Sequence, residues 1–151
     1  MELFKPKLAD IARMQELVAP EVKNGIILLR EDDEMARTVR SYTAVQENGE
    51  LIGFAALHIY ATTLAEVRSL VVKDSFRGKG VGAMLIKALE DEGRDLGIER
   101  ILTLTYQKEF FEKLGFIEIA KDQIPEHKIW ADCIKCKHFP ICNEISLIKA
   151  I

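Results

Sequence analysis

The sequence has few cysteines, no strong charge imbalance and no long apolar run. Its three cysteines all lie between positions 133 and 142, and an odd, clustered number is a poor basis for a disulfide-stabilised exported fold. No apolar run approaches the roughly 18–20 residues that cross a bilayer. The first residues, Met1 to Pro6, also lack the charged-then-apolar order of a signal peptide. We therefore expect a soluble, cytoplasmic protein with no membrane partner.

The balance of charges excludes a general attraction for nucleic acid. Lysine and arginine total 21 against 24 aspartate and glutamate residues, a net charge of −3, so no basic footprint is visible. With 48% hydrophobic residues in 151, the chain has enough apolar surface for one core. It also lacks repeats, low-complexity tracts and linkers. We expect a single domain over residues 1–151.

The first half of the chain changes from helical to strand periodicity. Apolar residues recur at helical spacing after Asp10, and Pro20 and then Gly25 close that helix. An acidic cluster at 31–34 precedes a second, shorter helix, because early acids favour a helix N-terminus. Asn48-Gly49 is typical of a tight hairpin turn, so the segments on either side are predicted to be two antiparallel strands.

The second half contains a strand, a glycine-rich turn, a helix and another strand. The predicted strand covers 64–73, the helix 81–97 and the next strand 98–105, which makes a βαβ unit with parallel pairing. A short helix at 109–114 and an extended segment at 116–121 follow. The fold class is therefore α/β, with one mixed, mostly antiparallel sheet and helices on both faces.

The turn between strand and helix reads Arg77-Gly78-Lys79-Gly80-Val81-Gly82. Glycines let the backbone approach a ligand, and the N–H groups at a helix start form a nest for phosphate oxygens. The nucleoside-triphosphate pattern G-x-x-x-x-G-K-[ST] is absent, and the dinucleotide pattern G-x-G-x-x-G/A fits only loosely. The sequence therefore predicts a phosphate or pyrophosphate site of another kind.

Two motifs resemble those of one acetyltransferase superfamily. R-x-x-G-x-G, carried by Arg77, Gly80 and Gly82, resembles the acyl-CoA loop of the GNAT acetyltransferases, and F-E-K-L-G-F at 111–116 resembles their Y-E-K-L-G-F segment. Nearly the whole chain is similar to the acetyltransferase domain of bacterial N-acetylglutamate synthases, in short variants without an amino-acid-kinase domain. The resemblance implies a GNAT-like fold, acetyl-CoA as cofactor and a homodimer. The implied coenzyme-binding residues are Leu70, Val71, Val72, Arg77, Gly78, Lys79, Gly80, Val81, Gly82 and Phe111.

The resemblance also implies catalytic residues. Glu66 stands where many family members carry a general-base glutamate that deprotonates the attacking amine; the alternative is an ordinary carboxylate in a surface ion pair. Phe111 replaces the family's usual acid, a tyrosine, so either Tyr106 protonates the leaving thiolate or no dedicated acid exists. His58 fits a packed histidine better than a base.

The implied reaction transfers acetyl to the α-amino group of an amino acid, L-glutamate, as the first step of arginine biosynthesis. It proceeds by direct attack in a ternary complex. Arg30 and Arg68 are candidates for binding the acceptor carboxylates, since guanidinium pairs with carboxylate in a bidentate manner. One alternative is another amine, such as a protein N-terminus, lysine, polyamine or antibiotic, for which the acids at 31–34 would form the pocket. Another, motivated by Phe111, is a non-catalytic acyl-CoA-binding subunit.

The cysteine cluster raises a separate question. Cys133, Cys136, His138 and Cys142 have the composition of a structural zinc site within ten residues. Packed reduced thiols and a redox pair are the alternatives, because a cytosolic C-x-x-C serves either use.

Overall fold

The first helix begins where Asp10 stabilises a turn. In the computed structural model, which describes residues 1–124 and 144–151, the Asp10 carboxylate accepts a hydrogen bond from the Lys7 backbone N–H at 2.7 Å and another from the Arg13 guanidinium at 2.8 Å. Helix α1 then runs over Ile11–Lys23. It continues through Pro20 and ends at Lys23, two residues before Gly25, which has φ of 73°.

We expect Asp10→Ala to destabilise the protein in a pH-dependent way. The hydrogen bond from the Lys7 N–H lowers the pKa of Asp10 below its usual range, so its contribution is present above the unfolded value of about 4 and is lost as pH falls through the lowered folded value. The expected loss at pH 7 is about 0.5–1 kcal/mol. Urea unfolding at pH 7 and pH 2.5 measures it, and an equal loss at both values would contradict this account.

The remaining elements alternate with short connections. Helix α2 (Asp32–Arg37) starts in the acidic cluster, whose charges favour a helix N-terminus. Helix α3 (Val81–Leu96) is followed by Gly97, whose φ of 91° lies in the left-handed region. Short 3-10 turns cover Leu8–Asp10, Val39–Ser41, Asp74–Phe76 and Lys121–Gln123. The other helices are α2 (Asp32–Arg37), α3 (Val81–Leu96) and α4 (Lys108–Lys113), and the strands are β1 (Glu2–Phe4), β2 (Tyr42–Glu47), β3 (Glu50–Ala61), β4 (Leu64–Val72), β5 (Arg100–Thr105), β6 (Ile117–Ile119) and β7 (Ile145–Ala150).

The described residues form one seven-stranded sheet in the order β1-β2-β3-β4-β5-β7-β6. Neighbouring strands are antiparallel except β4 and β5, which are parallel and joined through α3. The β2–β3 turn places Asn48 at φ 52° and Gly49 at φ 79°, as a hairpin turn with two positive φ values requires. The predicted mixed, mostly antiparallel sheet is confirmed.

Two apolar clusters cover the two faces of the sheet. On one face, α3 and α4 pack through residues such as Leu85, Leu89 and Phe111. On the other, α1 and α2 pack through Met14 and Met35. The prediction of helices on both faces is therefore confirmed. No described helix is both long enough and apolar enough to cross a bilayer.

Two strands were absent from our predictions. Strand β1 has only three residues, too few for a period to show, and β7 inserts between β5 and β6. The extended segment predicted at 116–121 is a strand only over Ile117–Ile119 and then turns into a 3-10 helix. Strand β7 pairs with β5 along its whole length.

Candidate active site

The parallel strands β4 and β5 separate partway along their length. Their registered pairs run from Leu64–Arg100 to Glu66–Leu102, while β4 continues to Val72 and β5 to Thr105. Among the described residues the two strands are not paired beyond Glu66. The β5-facing edge of the remainder of β4 is therefore open to an extended ligand, which can take the backbone hydrogen bonds of a missing strand.

A bulge in β4 lies beside this opening. Ala56 pairs with Arg68 and Phe54 with Val71, so β4 carries one residue more than β3 over this stretch. Ser69 has φ of 55°, a conformation that non-glycine residues adopt rarely and that bulges near functional sites require. Sequence reasoning missed Ser69, because the segment reads as an uninterrupted strand.

The glycine loop after β4 leads into the N-terminus of α3. Gly78 has φ of 76° and Gly80 φ of 85°, and a Cβ at either position would meet nothing within 4 Å. The surface above both residues is therefore open to a ligand. Because a helix leaves its first N–H groups without intrahelical partners and with a partial positive charge, Val81 and the residues around it offer donors to an anion. This geometry fits a diphosphate.

Two phenylalanines of α4, Phe110 and Phe111, lie beside the glycine loop. A Cβ at Gly82 would lie 3.0 Å from the Phe110 Cζ atom, so a larger residue there would displace the ring. Phe110 packs edge-on against Phe111 at 5.0 Å, and Phe111 packs against Phe116 at 5.1 Å. Phe111 is buried in the core, and its predicted contact with the coenzyme stays a prediction. Phe110, which the sequence analysis did not single out, is the ring that touches the loop.

The two cations of the loop already have partners. The Arg77 guanidinium lies 3.0 Å from the Glu21 carboxylate of α1 and 3.2 Å from that of Asp74. The Lys79 ammonium lies 5.2 Å from the centre of the Phe76 ring, a cation–π distance. Arg77 thus joins the loop to α1, and phosphate binding by its side chain stays a prediction.

Glu66 is a buried carboxylate at the last pair before the strands separate. It is 2% exposed and accepts a hydrogen bond of 2.6 Å from the Tyr60 hydroxyl to Oε1. The Arg68 Nε atom lies 3.5 Å from the same oxygen. His58 stands opposite Glu66 on β3, and its ring is 4.8 Å from that of Tyr60. This is a polar cluster rather than the surface ion pair that was the alternative for Glu66.

A cleft lies on the α1 and α2 face next to the bulge. It is shallow, with room for about one water molecule, and is lined by Arg30, Tyr42 and Ser69, among others. The side chains of Arg30 and Arg68 are each only 10% exposed, and Arg30 lies 3.3 Å from the Glu34 carboxylate. The cleft therefore brings one predicted acceptor residue, Arg30, together with the bulge.

The charges of both predicted acceptor arginines affect the pKa of Tyr42. Burial raises the pKa of the Tyr42 hydroxyl, while the nearby charges of Arg30 and Arg68 lower it and thereby oppose the rise. Arg30 lines the cleft together with Tyr42. The roles of Arg30 and Arg68 in binding an acceptor stay predictions.

Tyr106 lies farther from Glu66. It follows the end of β5 and is 42% exposed. Leu102 is the β5 residue opposite Glu66, and four residues of extended chain span about 13 Å. Tyr106 and Glu66 therefore occupy opposite ends of the opening between the strands, and the role of Tyr106 stays a prediction.

The predicted zinc cluster falls outside this description. Cys133, Cys136, His138 and Cys142 are not among the described residues. Within residues 1–124 and 144–151, no group of three or more histidine, cysteine, aspartate or glutamate side chains is arranged to hold a metal ion.

The separated strands, the bulge and the glycine loop at a helix N-terminus have the geometry that suits an extended, phosphate-bearing ligand. The acetyltransferase (GNAT) family matches residues 8–116, and the chain belongs to this family. It is therefore an N-acetyltransferase, as the sequence motifs predicted.

Relatives of this chain are acetyltransferases from several bacteria. The chain is 32% identical to an uncharacterized N-acetyltransferase of Chlorobaculum tepidum, over 96% of this chain and 93% of the relative. It is 32% identical to an amino-acid acetyltransferase of Mycobacterium tuberculosis, covering 76% of this chain and 67% of that protein. It is 30% identical to the amino-acid acetyltransferase of Vibrio vulnificus, but the match spans only 27% of that longer protein.

Solved structures share the fold. N-acetylglutamate synthase from Neisseria gonorrhoeae, complexed with coenzyme A and N-acetyl-glutamate, superposes with a TM-score of 0.87 at 24% identity, over 99% of this chain and 34% of that one. Rv2747 from Mycobacterium tuberculosis, in complex with CoA, has a TM-score of 0.87 at 21% identity and covers 100% and 99% of the two chains. At these identities the likeness establishes the fold.

Proposed function

We propose that the protein transfers the acetyl group of acetyl-CoA to the α-amino group of L-glutamate, by direct attack in a ternary complex. The observation that carries this proposal is a pair of nearly buried guanidinium groups, Arg30 in the lining of the cleft and Arg68 beside Glu66 on β4. The amino-acid acetyltransferases among the relatives and the fold shared with an N-acetylglutamate synthase support it. The reaction would be the first step of arginine biosynthesis.

The open edge of β4 and the glycine loop suit the two parts of coenzyme A. Backbone groups of β4 beyond Glu66 are available on the β5 side to hold the extended arm, and the N–H groups at the start of α3 face the diphosphate. The thioester would then lie near the bulge, next to the acceptor cleft. The residues assigned to the coenzyme are Leu70, Val71, Val72, Arg77, Gly78, Lys79, Gly80, Val81, Gly82 and, by its motif position, Phe111.

Glu66 is the residue assigned to remove the proton from the acceptor amine. An amino acid arrives as an ammonium and must lose a proton before its nitrogen can attack the thioester carbonyl. The Glu66 carboxylate takes that proton, the new C–N bond forms, the C–S bond breaks, and the departing thiolate takes a proton from Tyr106 or from water. No covalent intermediate with the protein is required. The Tyr60 hydroxyl and the Arg68 guanidinium lie 2.6 Å and 3.5 Å from the Glu66 carboxylate.

The charges of the cleft favour an anionic acceptor over a cationic one. Glu34, in the acidic cluster at 31–34, lies beside Arg30, and Asp32 accepts a hydrogen bond from Gln15. Arg30 therefore partly neutralises Glu34, and the Asp32 carboxylate is engaged by an amide, which together disfavour a polyamine or lysine pocket. Two guanidinium groups can instead meet the two carboxylates of an α-amino dicarboxylate.

A coenzyme-thiol release assay tests the proposed acceptor. We expect saturable release with L-glutamate, N-acetylglutamate by mass, and a value of kcat/KM at least about tenfold above that for L-glutamine, which lacks the distal charge. Arg30→Met should raise KM for glutamate about tenfold or more and leave coenzyme affinity unchanged. Arg13→Met, which removes a guanidinium from the outer side of α1, is the matched control and should leave both constants unchanged.

Two other outcomes would overturn parts of the proposal. Release of the coenzyme thiol only with a peptide, lysine, polyamine or antibiotic amine would contradict glutamate as the acceptor but support acetyl transfer as the reaction. Tight acetyl-CoA binding with no release across the panel would indicate a coenzyme-binding subunit without turnover.

A further inference from the structure

We infer that Tyr60 is a positioning residue for Glu66, holding its carboxylate ionised and oriented for proton transfer. The inference rests on the proposed function, in which Glu66 is the base. Tyr60 does not belong to either acetyltransferase motif of the sequence. Its place in the site follows from the geometry of β3.

Tyr60 lies on the face of β3 that carries His58, the residue directly opposite Glu66, because side chains two positions apart in a strand share a face. The register also shifts by one residue at Tyr60, between the Ile59–Ala65 and Ala61–Leu64 pairs. The Tyr60 hydroxyl reaches the Glu66 Oε1 atom at 2.6 Å.

The hydrogen bond from the Tyr60 hydroxyl is short, and its acceptor, the Glu66 carboxylate, is buried. Glu66 is 2% exposed, and a distance of 2.6 Å is that of a charge-assisted O–H to carboxylate bond. In low dielectric a lost donor to a carboxylate is poorly replaced by water. Removing the Tyr60 hydroxyl should therefore destabilise the ionised form of Glu66, which is the form that accepts the proton.

Other charged and titratable groups face the same carboxylate. Arg68 of β4 approaches the same oxygen at 3.5 Å, and His58 of β3 lies opposite in register. On β5 the registered neighbour is the apolar Leu102. Arg68 supplies charge, while Tyr60 supplies a directional bond that fixes the plane of the carboxylate, so their contributions are separable by substitution.

The test compares the pH dependence of kcat/KM for acetyl transfer in the wild type, Tyr60→Phe and Glu66→Gln. We expect Tyr60→Phe to move the acid limb upward by about one pH unit, which is a loss of about tenfold at a pH below the limb. At high pH its rate should return toward the wild-type value. Acetyl-CoA affinity should stay unchanged, because the coenzyme loop lies at the other end of β4.

A matched control separates positioning from stability. Lys149 donates to both oxygens of Glu90 at 3.0 Å, a second buried carboxylate, on the α3 face of the sheet. Lys149→Met removes a comparable charge-assisted contact and should lower the melting temperature without moving the pH profile. If Tyr60→Phe does not fold, 3-fluorotyrosine at position 60 provides the test: its more acidic hydroxyl should move the acid limb to lower pH.

The outcomes distinguish this inference from the proposed function. An unmoved acid limb in Tyr60→Phe, with Glu66→Gln strongly impaired, would overturn the role of Tyr60 and leave Glu66 as the base. A wild-type profile in Glu66→Gln would overturn the base assignment and the Tyr60 role with it. A shifted limb in Tyr60→Phe with an unshifted one in Lys149→Met supports the inference.

Discussion

Gly80→Asp is expected to weaken acetyl-CoA binding by about 10- to 100-fold, the range that follows from losing charged hydrogen bonds of about 1.5–3 kcal/mol. Gly80 precedes α3 with φ of 85°, and a Cβ there would point into open space. An aspartate would place a negative charge at the helix N-terminus where the diphosphate is proposed to bind. Isothermal titration with acetyl-CoA measures the effect.

A matched variant removes the contribution of backbone strain. Gly49 in the β2–β3 turn has φ of 79° and also has nothing within 4 Å of an added Cβ. Gly49→Asp therefore carries a similar conformational penalty, about 1–2 kcal/mol for a side chain at positive φ, far from the coenzyme loop. It should lower stability and keep coenzyme affinity. Equal affinities for Gly80→Asp and Gly49→Asp would refute the phosphate site.

The coenzyme side of the site was predictable because its signal is local. A strand period, a glycine-rich turn and a helical period follow one another between Leu64 and Leu96, and each is set by neighbours in sequence. The positive φ of Gly80 is the conformation for which glycine is used. The family motif adds the ligand, which spacing alone left open between several phosphate compounds.

Strand order and irregularities were not predictable, because they depend on pairing between distant residues. Strand β7 inserts between β5 and β6, an arrangement that follows from packing across more than forty residues of chain between Arg100 and Ala150. The bulges at Ser69 and Tyr60 arise where two strands differ by one residue in register. Serine and tyrosine also occur in regular strands, so neither residue type predicts a bulge.

Side-chain partners were equally hidden from a reading of the sequence. Arg77 was expected at a phosphate, and its guanidinium is paired with Glu21 from a helix 56 positions earlier. Glu66 was weighed against a surface ion pair, and it is buried with Tyr60 and Arg68. Motifs identify residues at one position at a time, whereas the environment that decides their chemistry comes from other elements, β3 for Glu66 and α1 for Arg77.

The largest effect on catalysis is expected for Glu66→Gln, with kcat reduced about 10²- to 10⁴-fold, the contribution typical of a general base. The amide is nearly isosteric but cannot take the ammonium proton, so the loss falls on kcat rather than on coenzyme affinity. The acid limb that reports Glu66 should also be lost, and the residual rate should instead rise only at high pH, where the free amine forms in solution. Steady-state kinetics from pH 4 to 10 measure both features.

Glu90→Gln is the matched control for this loss. Glu90 is also buried and also hydrogen-bonded to a cation, Lys149. It belongs to α3, which covers the face of the sheet opposite the acceptor cleft. Its substitution should reduce stability and leave kcat within about twofold, because it changes the folded state without touching the proton to be removed. If both variants lost activity equally, the defect would lie in folding, and the result would contradict the assignment of Glu66 as the base. If only Glu66→Gln lost it, burial alone would be excluded as the cause, and the position of this carboxylate at the separation of β4 and β5 would be what makes it the base.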